Sequence, residues 1–228
     1  MKNNIKRIAI IPARGGSKRI KNKNIKLFNG RPMISYPIQE LNKSKIFNKV
    51  FVSTENESTK KISEKYGASV DFLRTKNLSE DQISLEVVLK DVVTKFERKG
   101  ETYDEIWLVY ACNPLLKKND IIDANNNFQK TAKTYPMMSV KEFEVPIEWA
   151  LQKKGSIYKS LDKKSLYTDS KKIKKKYFES ASFIIYKKKH LLNSQKHFSY
   201  YGYLMDFTKA IDIDTENDWL TALKLYNL

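Results

Sequence analysis

The sequence predicts an α/β fold on a mostly parallel sheet, as a single domain over residues 1–228 with a small inserted arm at about 141–175. Three observations carry this. Short apolar, β-branched runs recur along the chain, amphipathic segments at helical spacing separate them, and both patterns lapse after Val140. Strands and helices alternating at this spacing form βαβ units, hence parallel strands joined by right-handed crossovers.

Residues 8–11 (IAII), bounded by Arg7 and Pro12, read as a buried parallel strand. A long loop follows, and Gly30, Arg31 and Pro32 open an amphipathic helix over 32–44 (PMISYPIQELNKS). Residues 49–53 (KVFVS) are the second strand, 57–66 a helix stopped by Gly67, and 68–73 a third strand. Over 80–98, Ile83, Val87, Val88, Val92 and Phe96 fall near helical spacing and the segment ends at Gly100, so it reads as a helix. A fourth buried strand (EIWLVY, 105–110), a polar helix over 119–133 and a fifth strand (PMMSV, 136–140) follow. Residues 141–180 lack a clear period and hold two lysine-rich stretches, 153–159 and 171–176, which read as an antiparallel excursion. Within it Phe143, Val145, Ile147, Trp149 and Leu151 recur at spacing two, a strand-like face. ASFIIY (181–186) resumes the sheet, and AIDID (210–214) leads into a last helix at 216–226.

Composition removes several function classes. At 228 residues the chain buries a core without staples, and 41% hydrophobic residues exclude wholesale disorder. Cys112 is the single cysteine, which excludes a disulfide framework and a multi-cysteine zinc site and fits a reducing compartment. The net charge of +17 invites a nucleic-acid or anionic-membrane partner. Only six of the 43 basic residues are arginine, however, and arginine is the residue of bidentate base and phosphate readout. The most basic run, KKIKKKY, offers only Tyr177 as a stacking platform. We therefore expect no nucleic-acid and no membrane partner. IAIIPA after the basic start MKNNIKR is too short for a signal-peptide core, and no segment approaches the roughly 18–20 apolar residues of a spanning helix, so a cytoplasmic protein is expected.

The first strand runs into IPARGGSKRIKNKN, which holds Ala13, Arg14, Gly15, Gly16, Ser17, Lys18, Arg19, Lys21, Lys23 and Asn24. Glycines let successive backbone N–H groups converge, flanking cations add charge, and together they form a phosphate cradle at the carboxyl end of a parallel strand. It matches neither GxxxxGK[ST] nor GxGxxG, and the same residues also suit a plain basic surface loop. Near the other end of the chain, Asp212 and Asp214 stand two apart, so an extended segment points both to one face. Two hard carboxylates there suit Mg²⁺ completed by phosphates and water, although Asp214 also sits where it would cap the last helix.

Several motifs, in order, resemble the CMP-sialic-acid synthetase family: IPARGGSKR followed by KN, GRPMISYPI, VFVSTENESTKKISEKYGASVDFLR, LSEDQISLEVV and AIDIDTENDW. The resemblance covers nearly the whole chain, with 141–175 its weakest part. It implies a three-layer Rossmann-like sheet of the nucleotide-diphospho-sugar transferase type and transfer of CMP from CTP to a nonulosonic acid, with Mg²⁺ as cofactor. By the same resemblance Arg14, Ser17, Lys23 and Asn24 contact the CTP phosphates or the nucleotide, Arg74 contacts the nucleotide, and Asp81 and Ser84 lie in the nucleoside-side loop. Ala13, Gly15, Gly16 and Lys18 complete the loop, and Asp212 and Asp214 hold the metal. Arg14, Lys23, Asp212 and Asp214 are the expected catalytic set. YACNPLL and SVKEFEVPIEWAL resemble the pseudaminic-acid branch, whose sugar would meet Asn113, Lys171, Tyr177 and Glu179. One departure stands out: TDSKKI (168–173) replaces a TRSQDL-like segment, which leaves the sugar, or even activity, open. A sialic, legionaminic or octulosonic-acid enzyme and a catalytically silent nucleotide-binding relative are the alternatives. The excursion is expected to pack on a second subunit, giving a homodimer.

Overall fold

Alternate side chains of β1 (Arg7–Pro12) enter two different cores: Ala9 and Ile11 join one buried cluster, Ile8 and Ile10 another. A strand buried on both faces needs a continuous apolar run, which is what IAII supplies. The computed structural model describes residues 5–193 and 197–228; the first four residues of the basic start lie outside the described residues. After β1 come a two-strand hairpin, β2 (Leu27–Phe28) and β3 (Arg31–Pro32), then α1 (Ser35–Ser44), β4 (Lys49–Ser53) and α2 (Glu57–Lys65). Next are α3 (Leu85–Arg98), β5 (Glu105–Val109), α4 (Lys118–Lys130) and β6 (Met137–Glu142). The hairpin β7 (Leu151–Lys154) and β8 (Ile157–Ser160) precedes β9 (Tyr177–Lys187), α5 (Lys188–Leu192), β10 (Tyr201–Leu204) and α6 (Glu216–Tyr226).

Among the described residues the central sheet has six strands in the order β10-β6-β9-β5-β1-β4. All pairings are parallel except those of β9, which runs antiparallel to both β5 and β6. Ile38 and Leu41 of α1 and Ile121 and Phe128 of α4 cover one face; Leu89, Val92 and Phe96 of α3 cover the other. The mostly parallel, three-layer α/β arrangement expected from the sequence is thus the one observed. A third cluster joins Ile20, Phe28, Met33 and Tyr36 to Ile213, Trp219 and Ala222. It packs the long loop after β1 against the start of α6, although the two are nearly the whole chain apart.

Several elements differ from expectation, each for a local reason. Residues 68–73 make only a single bridge, Ser69 to Phe51, before Asp71 turns away to pair with Lys49 (2.7 Å). The helix expected from residue 80 begins at Leu85, because Ser84 is extended (φ −68°, ψ 149°) and 80–84 form a loop. The polar helix stops at Lys130, where Thr131 turns extended and Lys133 takes a left-handed φ of +54°. The strand-like face at 143–151 is broken at Pro146 by a short 3-10 turn over Ile147–Trp149. The hairpin of β7 and β8, turning at Gly155 (φ +62°), is exposed on both faces. Strand β9 begins at Tyr177, four residues before the apolar run that announced it. Strand β10, the β2–β3 hairpin and α5 carry no pattern strong enough to mark them. Among the described residues no helix is long and apolar enough to cross a membrane.

Candidate active site

The strand order reverses at β1, with β4 on one side and β5 on the other, and ligands of open α/β sheets bind outside the carboxyl ends of strands at such a point. There the structure has a cleft of ≈ 620 Å³. The loop after β1 forms one wall through Arg14, Ser17, Lys18, Arg19, Lys23 and Asn24. Leu78, Ile83, Leu85 and Val88 form an apolar wall, and Tyr110 to Cys112 at the end of β5 form the floor. Asp212 and Asp214 close the far side.

The loop is held from beneath. Ala13 is fully buried and its N–H donates to the Ser53 carbonyl (2.9 Å). The Gly15 N–H donates to Glu55 Oε1 (2.7 Å), and a side chain at Gly15 would meet Asn56 at 3.1–3.4 Å, a close approach that favours glycine. Asn56 cannot yield freely, because its Oδ1 caps α2 by accepting from the Thr59 N–H (2.9 Å). Asn24 is a brace: its Nδ2 donates to the Arg14 carbonyl (2.8 Å), and its Oδ1 accepts from the Cys112 thiol (3.3 Å). Burial, outweighing Lys23, pushes that thiol up to about 12, so Cys112 stays protonated and is no nucleophile.

The cations of the loop reach across the cleft to carboxylates. Arg14 and Lys18 both pair with Asp81 in the 80–84 loop, the latter at 2.5 Å. Hydrogen bonds from Lys18 and then Arg14 hold the Asp81 carboxyl below its ordinary value. Arg19 pairs with Asp214 (2.8 Å), and Lys23 joins both Asp214 (3.1 Å) and the Ile213 carbonyl (2.5 Å). These contacts bring the two ends of the chain together at one site. Asp214 does not cap α6. Thr215 does so, accepting from the Asp218 N–H (3.2 Å) while Asp218 accepts from the Thr215 N–H (2.7 Å), a capping box.

Asp212 is open to solvent at the cleft mouth, yet protein crowding its carboxylate, and then the charge of Asp214, raise its pKa. Among the described residues it makes no hydrogen bond or ion pair, so its oxygens are available to a ligand. The pair fits Mg²⁺, which takes one or two carboxylates and fills its shell with water and phosphate oxygens. No group of three or more His, Cys, Asp or Glu converges among the described residues, so most of such a shell comes from substrate and water.

Arg74 lies against the same cleft with its side chain 4% exposed. Its Nη2 pairs with Glu55 Oε2 (3.1 Å), while its buried Nε has no partner. Burial lowers its pKa despite Glu55, so the cation is only partly compensated within the protein. The remaining expected residues scatter. Gly16 is in the loop but off the lining, and Ser84 is the exposed N-cap residue of α3. Asn113 is buried beneath the floor with an unpartnered Nδ2. Lys171 is exposed in a short turn on the arm, away from the cleft lining, and Tyr177 is exposed near the start of β9. Glu179 accepts a hydrogen bond from Tyr110, whose phenol is driven far up by burial and then by that carboxylate.

Two participants escaped sequence reasoning. Glu55 anchors Gly15, Arg74 and the Ser79 hydroxyl (3.1 Å) at once, and its place just past the end of β4 was the available signal. Arg19 reads in the sequence as one more loop cation, and only its pairing with Asp214 sets it apart.

Comparison with known proteins agrees with this fold. A family model described as Cytidylyltransferase matches residues 8–227. The chain is 33% identical to the pseudaminic acid cytidylyltransferase of Campylobacter jejuni, over 98% of this chain and 97% of that protein. It is 28% identical to the CMP-N,N'-diacetyllegionaminic acid synthase of Legionella pneumophila, over 97% and 96%. Among solved structures it is similar to a CMP:2-keto-3-deoxy-manno-octonic acid synthetase complexed with CTP, with a TM-score of 0.71 at 16% identity, over 98% of this chain and 100% of that one. The protein belongs to the cytidylyltransferase family.

Proposed function

We propose that the protein activates a nonulosonic acid with CTP, yielding the CMP-sugar and pyrophosphate, and that the acid is pseudaminic acid. One observation carries the reading: Arg14, Lys18, Arg19 and Lys23 converge on one cleft opposite Asp212 and Asp214 and beside an apolar wall. That is the chemistry of a nucleoside triphosphate, with cations for the phosphates, an apolar slab for the base and carboxylates for a divalent ion. YACNPLL, SVKEFEVPIEWAL and the 33% identical relative support pseudaminic acid.

In this reaction the anomeric hydroxyl oxygen of the sugar acid attacks the α-phosphorus of CTP. The new P–O bond forms as the bond to the bridging β-phosphate oxygen breaks; pyrophosphate departs with that electron pair, and the hydroxyl proton passes to solvent. Two anions must meet, so positioning and charge neutralisation supply most of the rate. Arg14 and Lys18 exchange Asp81 for phosphate oxygens, and Lys23, half-enclosed beside Asp214, holds the departing pyrophosphate. Arg74 gains a partner for its uncompensated charge from the nucleotide. Asp212 and Asp214 are the residues that would hold Mg²⁺, which when bound neutralises phosphate charge and lowers the pKa of a hydroxyl beside it.

The arm supports the homodimer. Ile157, Tyr158, Leu161 and Tyr167 are exposed on it, the last at 91%, an apolar surface of the kind that subunit interfaces cover. A cytoplasmic setting follows from the use of CTP. The test is pyrophosphate release and CMP-sugar formation at saturating Mg²⁺ by the wild type, Asp214→Asn and Lys23→Ala. Activity in the wild type and its collapse in both variants is expected; near-normal turnover in both variants overturns the site assignment.

A further inference from the structure

Strand β9 changes register in the middle of the sheet. Met138 pairs with Ile184 and Val140 with Glu179, so Ser139 alone faces four residues, 180–183. The surplus is accommodated in a bulge, where Ala181 takes a left-handed φ of +51°, a conformation that costs a residue with a Cβ. The fully buried Ser139 pins the bulge: its hydroxyl donates to the Phe183 carbonyl and accepts from the Phe183 N–H, both at 2.9 Å. On the other side the Ser182 carbonyl accepts from the Tyr110 N–H (3.2 Å).

These contacts lead to the cleft. Ala181 and Tyr110 line it, and Tyr110 donates to Glu179, the residue at which β9 regains its pairing. The loop after β1 accounts for the phosphates and the apolar wall for the base. The polar Tyr110–Glu179 pair, whose phenol feels the charge of Asp212, is left for a substrate rich in hydroxyl and amide groups. Without the extra residues, the Met138–Ile184 register would continue to Val140 opposite Ser182, and Glu179 would stand three positions from its present partner.

We propose that Ser139 is a positioning residue for the sugar acid: the bulge that it pins, with Ala181 held at a left-handed φ, sets Tyr110 in the cleft with Glu179 as its partner. This rests on the activity proposed above. Strain retained at a substrate-lining residue, rather than relieved by glycine, is typical of sites where the backbone positions a functional group.

The test measures separate KM values for CTP and for the nonulosonic acid in the wild type, Ala181→Gly, Ser139→Ala and Tyr110→Phe. Ala181→Gly keeps the fold, because glycine takes φ +51° freely, so its melting temperature is expected unchanged or raised. Ser139→Ala and Tyr110→Phe are each expected to raise KM for the sugar acid at least fivefold and leave KM for CTP within twofold, whereas Ala181→Gly, which keeps the bulge, leaves both KM values within twofold. Sugar-acid KM values within twofold of wild type in either Ser139→Ala or Tyr110→Phe, or parallel rises for both substrates, overturn the positioning role. A wild type that turns over no nonulosonic acid with CTP overturns the activity and this proposal with it.

Discussion

Glu55 is the residue on which the cleft rests, and its removal has a calculable cost. Its Oε1 accepts from the Gly15 N–H and its Oε2 from Arg74 and Ser79. In Glu55→Gln the Arg74 guanidinium, 4% exposed, loses its one ion-pair partner among the described residues. Stripping one partner from a buried pair costs about 3–5 kcal/mol, and because Glu55 itself keeps 21% of its side chain exposed we place this case at about 2–3 kcal/mol. At about 2–4 °C per kcal/mol for a chain of this length, the melting temperature falls by roughly 5–10 °C. The pH dependence has a definite sign. Burial pushes the Glu55 carboxyl up, but the Gly15 amide and Arg74 more than offset it, so it titrates below its ordinary 4.5. Its stabilisation is therefore complete above that value and is lost as pH falls through the folded pKa. Urea unfolding of wild type and Glu55→Gln from neutral to acid pH is the assay. A difference below about 0.5 kcal/mol at neutral pH, the range of ordinary surface substitutions, refutes the reasoning, as does a difference that persists unchanged in acid.

Other expectations follow from the same structure. Gly15→Ala pushes a Cβ against Asn56, so α2 loses about 1 kcal/mol of capping and kcat/KM for CTP falls, read by urea unfolding and kinetics. Asp81→Asn releases Arg14 and Lys18 from their shared carboxylate, so CTP binds severalfold more tightly by calorimetry at low salt; weaker binding contradicts the exchange of Asp81 for phosphate. Burial, followed by His197 and neighbouring lysines, lowers the pKa of His190, so folding stability drops as pH falls below 6.5, and His190→Gln flattens that slope in thermal melts. Asp212→Asn abolishes CMP-sugar formation yet leaves the fold intact, because among the described residues that carboxylate bonds to no protein group.

The sheet was legible because buried parallel strands must be continuous apolar runs, and IAII, KVFVS and EIWLV have no other good use. Strand β10 was not, because YGYL carries glycine and alternating exposure at a sheet edge, where pairing rather than burial defines the strand. The loop at 80–84 read as helix because Ile83 keeps helical spacing, while its position is set by Asp81 meeting Arg14 and Lys18 from 60-odd residues away. In the candidate site, the glycine- and cation-rich loop after β1 and the Asp212–Asp214 pair each announced themselves by residue type and spacing. Their juxtaposition depended on Phe28, Tyr36, Ile213 and Trp219 packing together, a tertiary fact with no local signature. Glu55 and the bulge at Ala181 were hidden for the same reason: a lone glutamate and a lone alanine look ordinary until their partners are in place.

The net charge of +17 acquires a limited meaning in this light. The cations that line the cleft are few, and under the proposed function they face an anion the size of a triphosphate rather than a polymer. The most direct measurement is pyrophosphate release from a panel of CTP, ATP, GTP and UTP, each with and without pseudaminic, legionaminic and sialic acids, in the presence of Mg²⁺. The account predicts release with CTP and a nonulosonic acid together, greatest for pseudaminic acid, with the CMP-sugar formed in equal amount. No release from any CTP pairing, or equal release from all four nucleotides, would contradict it.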